Sequence, residues 1–327
     1  FRRFLQKTLP PHLTTRPLET PLEHLRYHNR LDDLVCDKTL QRHPPLLTTA
    51  LDSILESIPF EADVPATSVI GGCDEAQRSL ATFLDTRLES YGERNHPDND
   101  VQSHLSPYLH FGHISAHAIL HQLLDRYGWE PEQLSDQATG SRQGWWNLPP
   151  EAEGFLDQLI TWRELGFNMC SQNPLYDRYE SLPNWARVTL QKHSTDPRPV
   201  VYSLEELEHS LTEDELWNAC QRQLVQDGFI HNYLRMLWGK KIFQWTHEPQ
   251  TALEIMIHLN NKYALDGRDP NSYSGIFWTL GRYDRAWGPE RDIFGKIRYM
   301  TSDSARKKLR VKNYIQRYQP GGEAPLP

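Results

Sequence analysis

Apolar positions recur along most of this chain with the period of a helix. Over residues 76–91 they fall at Leu80, Phe83, Leu84, Leu88 and Tyr91, the spacing that lines one helical face. The same pattern predicts helices over residues 106–127, 154–170, 212–227, 232–246, 251–263 and 302–318. Two-residue alternation is scarce, and the extended run at 199–202 is too short to carry a sheet. Residues 1–70 read differently, because Pro10, Pro11, Pro17, Pro21, Pro44, Pro45, Pro59 and Pro65 interrupt them. Proline removes a backbone donor and pushes the residue before it to an extended conformation. One short helix, over 46–58, fits there. The expected fold is all-α: an irregular Pro-rich linker with short helices over 1–70, then a helical domain over 71–327. No Gly-x-Gly-x-x-Gly follows a strand, so a dinucleotide would not be held by a doubly wound sheet.

Composition agrees with a folded chain. Only 38% of the 327 residues are hydrophobic, but 10 Trp, 14 Tyr and 11 Phe suffice to build a core. A net charge of −8 excludes a uniformly basic binder; it does not exclude a local basic face. No apolar run approaches the roughly 18–20 residues that span a bilayer, and no secretory signal is visible. The expected setting is intracellular, cytoplasmic or nucleoid-associated, away from membranes, with the chain a monomer. Cys36, Cys73, Cys170 and Cys220 lie far apart and read as reduced thiols.

Several segments could carry chemistry. In Ser103-His-Leu-Ser-Pro-Tyr-Leu-His-Phe-Gly112, Ser106 before Pro107 reads as a helix cap. Hydroxyls and free N–H groups at a helix start suit a phosphate, although for a lone Ser-Pro a plain capped helix is clearly the better reading. His113, His117, His121 and Asp125 recur every four residues. That spacing can chelate zinc, but without a pointer to a third ligand a solvated polar stripe is the better reading, and no metal is expected. Trp217, Trp238 and Trp245 surround His231-Asn-Tyr-Leu-Arg-Met236. Trp238 and Trp245 stand two turns apart, about 10.5 Å along a helix; such a row can pass an electron or fill a core. Leu259 to Asn271 reads as a polar loop, since Asp-Gly and Asp-Pro-Asn form turns. Basic residues around Lys240 and Lys241, and over 306–312, suit nucleic-acid phosphates.

Taken in order, these motifs resemble a known family. Leu105-Ser-Pro-Tyr-Leu-His-Phe-Gly112, Leu216-Trp-Asn-Ala219, Arg235-Met-Leu-Trp-Gly-Lys-Lys241, Leu265-Asp-Gly-Arg-Asp-Pro-Asn271, Asp284-Arg-Ala-Trp-Gly288 and Gly295-Lys-Ile-Arg-Tyr-Met300 resemble class II cyclobutane pyrimidine dimer photolyases, of the photolyase/cryptochrome superfamily. The resemblance spans about residues 1–318. It covers the family's linker and helical FAD-binding region without its N-terminal α/β antenna domain.

The resemblance implies a helical fold around a U-shaped FAD and light-driven repair of pyrimidine dimers in DNA. Tyr91, Ser103, His104, Leu105, Ser106 and Asp269 match cofactor-holding positions. Asn260 matches the asparagine facing the flavin, and Arg235 with Asp266 matches an ion pair beside it. Trp238, Trp217 and Trp245 match an electron-transfer triad, with the intervals of 21 and 7 kept. Met236, Trp162 and Trp278 match the dimer pocket, and Arg94, Asn95, Asp284 and Arg285 match DNA-facing positions. The family's lesion-binding glutamate, four residues before Trp162, is Gln158 here. An amide both donates and accepts but supplies neither proton nor charge. Ile230-His-Asn232 stands where the family has Met-His-Gly, and the loop before Asp284 is one residue shorter. A cryptochrome-like photoreceptor without repair is the alternative function, and a flavin-free DNA-binding protein a third.

Overall fold

The computed structural model describes residues 1–18 and 64–321. Two units divide the chain, residues 17–65 and the segments on either side of them; every described helix lies in the second. The helix expected over 46–58 falls outside the described residues.

The described residues are almost wholly helical, with no sheet and a single isolated bridge between Arg291 and Gly295. Helix α1 (Arg2–Thr8) opens the chain. Helix α2 (Cys73–Thr82) runs on through a π turn (Phe83–Arg87) into a 3-10 segment (Leu88–Glu93). The stretch expected as one helix over 106–127 is two, α3 (Ser106–His110) and α4 (Ala116–Arg126). The break falls where Gly112 takes a φ of 70° and Ser115 caps α4 by accepting from the Ala118 amide, a cap that starts a new helix.

Helix α5 (Pro150–Leu156) passes through a second π turn (Asp157–Trp162) into α6 (Arg163–Gln172). Helices α7 (Asn184–Lys192) and α8 (Leu204–Glu208) follow. The capping box Ser203/Glu206 starts α8. The second half of the core comprises α9 (Glu215–Asp227), α10 (Asn232–Gln244), α11 (Pro249–Tyr263) and α12 (Pro270–Thr279). Gly228, with φ 73°, ends α9. The polar loop expected from Leu259 onward stops at Asp269, whose carboxylate accepts from the Asn271 amide. Asp-Pro here is an N-cap followed by a first helical proline, so the turn-forming residues introduce α12. Helices α13 (Ser302–Lys308) and α14 (Lys312–Arg317) replace the single helix expected over 302–318.

One core gathers Leu80, Phe83, Leu88, Ile119, Leu123 and Phe155. Phe83 and Phe155 lie 4.6 Å apart between centroids, and burying each such ring contributes roughly 1.5–3 kcal/mol. In the second half, Leu216, Trp217, Phe243, Met256 and Phe277 are fully buried. Two glycines set how closely helices meet. A Cβ on Gly166 would lie 3.0 Å from the Pro270 carbonyl oxygen, and one on Gly239 would lie 2.6 Å from Thr279 Cγ2. Both α6 and α10 therefore press against α12.

Candidate functional site

The histidine stripe leading into α4 is solvated only in part: His117 and Asp125 are exposed. His121 is buried and hydrogen-bonded to the Thr15 carbonyl at 2.8 Å, and Asp125 pairs with Arg16 at 2.5 Å. The stripe docks the chain's leading segment. Among the described residues no group of three His, Cys, Asp or Glu is placed to hold a metal.

The contact of α6 with α12 brings together two residues 116 positions apart. Trp162 and Trp278 lie 4.8 Å apart between centroids at 42°. Neither is fully buried, so the pair forms an accessible aromatic wall. Trp162 is fixed by its own indole N–H, which donates to Asp157 at 3.2 Å. Asp157 is buried and also holds Arg2 of α1 at 2.8 Å. Gln158, half-buried on the same π turn, makes no hydrogen bond within the described chain. Trp278 meets Tyr283 edge-on at 6.1 Å. The loop beyond carries Asp284, which accepts from the Arg285 amide and from the Trp287 indole at 3.0 Å. The exposed Arg285 lies over the Trp287 ring.

Helix α10 carries Arg235, half-buried Met236 and Trp238 within one turn. A Cβ on Gly275 of α12 would lie 3.8 Å from Arg235 Cδ, which places Arg235 beside the helix of Trp278. No ion pair joins Arg235 to Asp266. Instead Arg235 Nε, Asp266 Oδ1 and both ring nitrogens of His231 are buried without a partner. Unpaired buried polar atoms are costly, and each such atom in a folded protein calls for an explanation, of which a polar ligand is one. Burial pushes His231 down to about 4. Sequence reasoning missed His231 and Asp157 as site residues.

The remaining expected cofactor residues split between two regions. Asn260 is buried and donates to the Gly267 carbonyl at 2.9 Å. Asp269 is buried, caps α12 and faces His110 of α3 at 3.5 Å. Ser103 and His104 precede α3; His104 has a φ of 55° and contacts Asp100 at 2.5 Å. Leu105 is buried. Ser106 is exposed and is the first helical residue, so its hydroxyl does not cap α3 as expected. Tyr91 packs between Phe83 and Phe155, and burial pushes its hydroxyl up to about 12. Arg94 stacks on Tyr91 at 4.7 Å, and Asn95 beside it is exposed.

The three indoles form one buried group. Trp238 is 1% exposed, Trp217 0% and Trp245 4%. The Trp217 indole donates to the Trp238 carbonyl at 3.0 Å, and the Trp238 indole donates to Gln221 at 2.9 Å. Trp217 and Trp245 meet edge-on at 5.4 Å, and Trp245 meets half-buried Tyr202 at 5.2 Å. Lys240 and Lys241 are not phosphate ligands. Lys240 is fully buried and donates to the Thr279 carbonyl at the end of α12. Burial pulls it down to about 7. Lys241 pairs with Asp214 at 3.1 Å and lies over Trp245.

These features define a helical protein with an aromatic wall, several unsatisfied buried polar atoms and a buried group of three indoles. The fold is similar to that of two solved structures at low sequence identity. A class III photolyase from Agrobacterium tumefaciens covers 76% of this chain, and 44% of its own, with TM-score 0.50 at 20% identity. A cryptochrome from Synechocystis sp. PCC6803 covers 80% and 47% with TM-score 0.52 at 17% identity. In sequence the chain is 41% identical over 248 residues to a deoxyribodipyrimidine photo-lyase of Methanothermobacter thermautotrophicus, covering 76% of this chain and 50% of the relative. Proteins of the same name from Potorous tridactylus (40%, 74% of this chain, 42% of the relative) and Arabidopsis thaliana (42%, 71%, 44%) match similarly. No family model matches. By sequence the chain is thus similar to deoxyribodipyrimidine photo-lyases, and in fold it is similar to a photolyase and a cryptochrome. It spans about half the length, or less, of the curated relatives it matches.

Proposed function

We propose that this chain is the helical, FAD-binding part of a class II photolyase that repairs cyclobutane pyrimidine dimers in DNA under light. It acts as a monomer, with residues 71–327 as the cofactor-binding domain. The observation that carries the reading is on α10, where Arg235 with its unpartnered Nε stands one turn before Trp238, the head of the indole row. The four relatives at 40–42% identity bearing the photo-lyase name support it.

The buried atoms fit a flavin dinucleotide. Arg235 Nε and Asp266 Oδ1 offer a donor and an acceptor without a partner among the described residues, and the buried His231 ring stands one turn before Arg235. Ser103 to Ser106 would take the phosphates, with Asp269 and Asn260 completing the cradle. Held there in reduced form, FAD would supply light-driven electron donation for ring splitting with no net redox change. The protein's own residues do the rest. Trp162 and Trp278 stack against the extruded pyrimidine pair, whose lost stacking makes it cheaper to flip than an intact pair. Gln158 donates and accepts at the base edge beside that wall. Met236 fills the pocket floor, and Arg94, Asn95 and Arg285 contact DNA at its rim. Trp238, Trp217 and Trp245 would offer a buried route for electrons between the surface and the site.

One observation favours a second reading: Gln158 in place of the family's glutamate suits a cryptochrome-like photoreceptor that does not repair. An absorption spectrum of the purified chain, before and after illumination with a reductant, tests for flavin. A dimer-bearing oligonucleotide then separates the readings. Loss of dimers under blue light supports the photolyase; binding without loss supports the photoreceptor. A colourless protein on refolding with FAD removes both.

A further inference from the structure

The turn that carries Arg94 and Asn95 continues into a basic strip, and the two are joined at several points. Arg310 pairs with Glu93. The Arg310 amide donates to His96 Nδ1 at 3.2 Å, and the Arg310 carbonyl accepts from the Asp98 amide at 3.0 Å. The Asp98 carboxylate accepts from the Asn313 and Tyr314 amides at 3.2 and 2.8 Å. The strip is thus held rigidly beside the residues 93–98.

Its charges are unevenly spent. Five cations stand among residues 306–312 of a chain whose net charge is −8. Arg306 pairs with Glu215 and Arg310 with Glu93. Lys307, Lys308 and Lys312 are exposed, with no carboxylate in ion-pair reach among the described residues. The break between α13 and α14 opens a recess of about 410 Å³, lined by Arg306, Arg310 and Lys312 around an apolar floor of Leu309, Val311 and Ile315, with Asp98, its carboxylate held by the Asn313 and Tyr314 amides, as the one acidic residue among those described. Lys312 brings an unpaired ammonium group to this recess, and Lys307 and Lys308 offer two more on the exposed face of α13, so the strip can neutralise phosphates beside an apolar surface that suits deoxyribose. No aromatic ring or amide side chain lines the recess to read a base edge.

We propose that this strip holds the phosphodiester backbone of the duplex flanking the lesion, independently of base sequence. The proposal rests on the DNA-repair reading for its partner, and its test is arranged to stand apart from repair. The chain's overall acidity repels DNA, so local neutralisation by a few lysines decides affinity away from the lesion. Counterion release makes each phosphate contact visible as a salt slope, about 0.9 per contact for duplex DNA.

The test compares the full chain with a K307Q/K308Q/K312Q variant and a K7Q control, Lys7 being an exposed lysine of α1. Binding to an undamaged duplex and to a dimer-bearing trinucleotide is measured over a salt series. The triple variant is expected to lower the duplex salt slope by roughly 2–3 and duplex affinity about tenfold, with trinucleotide affinity and K7Q unchanged. An unchanged duplex slope, or an equal loss toward the trinucleotide, overturns the strip. A lowered slope in a protein that neither binds flavin nor repairs would leave the strip standing and remove the repair reading. All three side chains are exposed, so the variant folds; a matching thermal midpoint confirms it.

Discussion

Asp157 accepts the Trp162 indole N–H at 3.2 Å while holding the Arg2 guanidinium at 2.8 Å. One buried carboxylate therefore ties an aromatic wall to the first helix of the chain. Asp157→Ala frees the indole and leaves Arg2 without its partner. Breaking a buried ion pair costs about 3–5 kcal/mol, and because Arg2 keeps solvent access we expect about 2–3 kcal/mol. Denaturant unfolding measures the loss. Dimer affinity should fall more steeply than flavin content, since only the wall is released; loss of both in equal measure would contradict that role.

Gln158 sits one residue on, with an amide that the chain leaves unpaired. Gln158→Glu adds a charge and a titrating proton at the base edge without changing volume. We expect faster dimer turnover per absorbed photon at unchanged flavin content. A fall or no change, read from dimer loss under fixed illumination, would count against a lesion-facing position.

Trp238→Phe interrupts the buried row where it meets Arg235's helix. Light-driven reduction of the bound cofactor should stop or slow by at least tenfold, while repair by chemically pre-reduced protein continues. Absorbance during illumination reports the first and dimer loss the second. Equal photoreduction in the variant would show that these rings serve packing alone.

His231 gives the cofactor-free protein an acid sensitivity. Burial holds its folded pKa near 4 against an ordinary value of 6.5. Below pH 6.5 the unfolded chain binds a proton that the folded chain refuses, so stability rises with pH across this window and is lost on acidification. From pH 6.5 down to 4 the loss is about 3 kcal/mol. Unfolding free energies across that range should show the slope, and His231→Gln should flatten it.

The fold class was legible in the apolar periodicity because buried helical faces repeat every 3.6 residues over long stretches. Breaks were harder to see. The pattern ran through Gly112 and through residues 309–311, where local backbone choices override a continuous apolar stripe. Helix α12 was hidden because Asp269-Pro270 resembles a turn until the cap it forms is recognised. The indole row was readable from intervals. Asp157 was not, for a geometric reason. Five residues separate it from Trp162, and on an α-helix they would point about 140° apart. The π turn, with its i to i+5 spacing, brings them together. The unpartnered atoms of His231, Arg235 and Asp266 depend on the absence of neighbours across the fold, which no linear pattern records.

Both helices that lead toward the proposed pocket, the one ending near Arg94 and the one bearing Gln158 and Trp162, contain a π turn. Each such turn accommodates a surplus residue. Excising one position within Asp157–Trp162 would keep the chain helical, yet swing everything on one side of the cut by about 100° relative to the other. Gln158 and Trp162 would then look in different directions. The pocket's alignment thus hangs on register, and a one-codon deletion there could silence chemistry while sparing the fold.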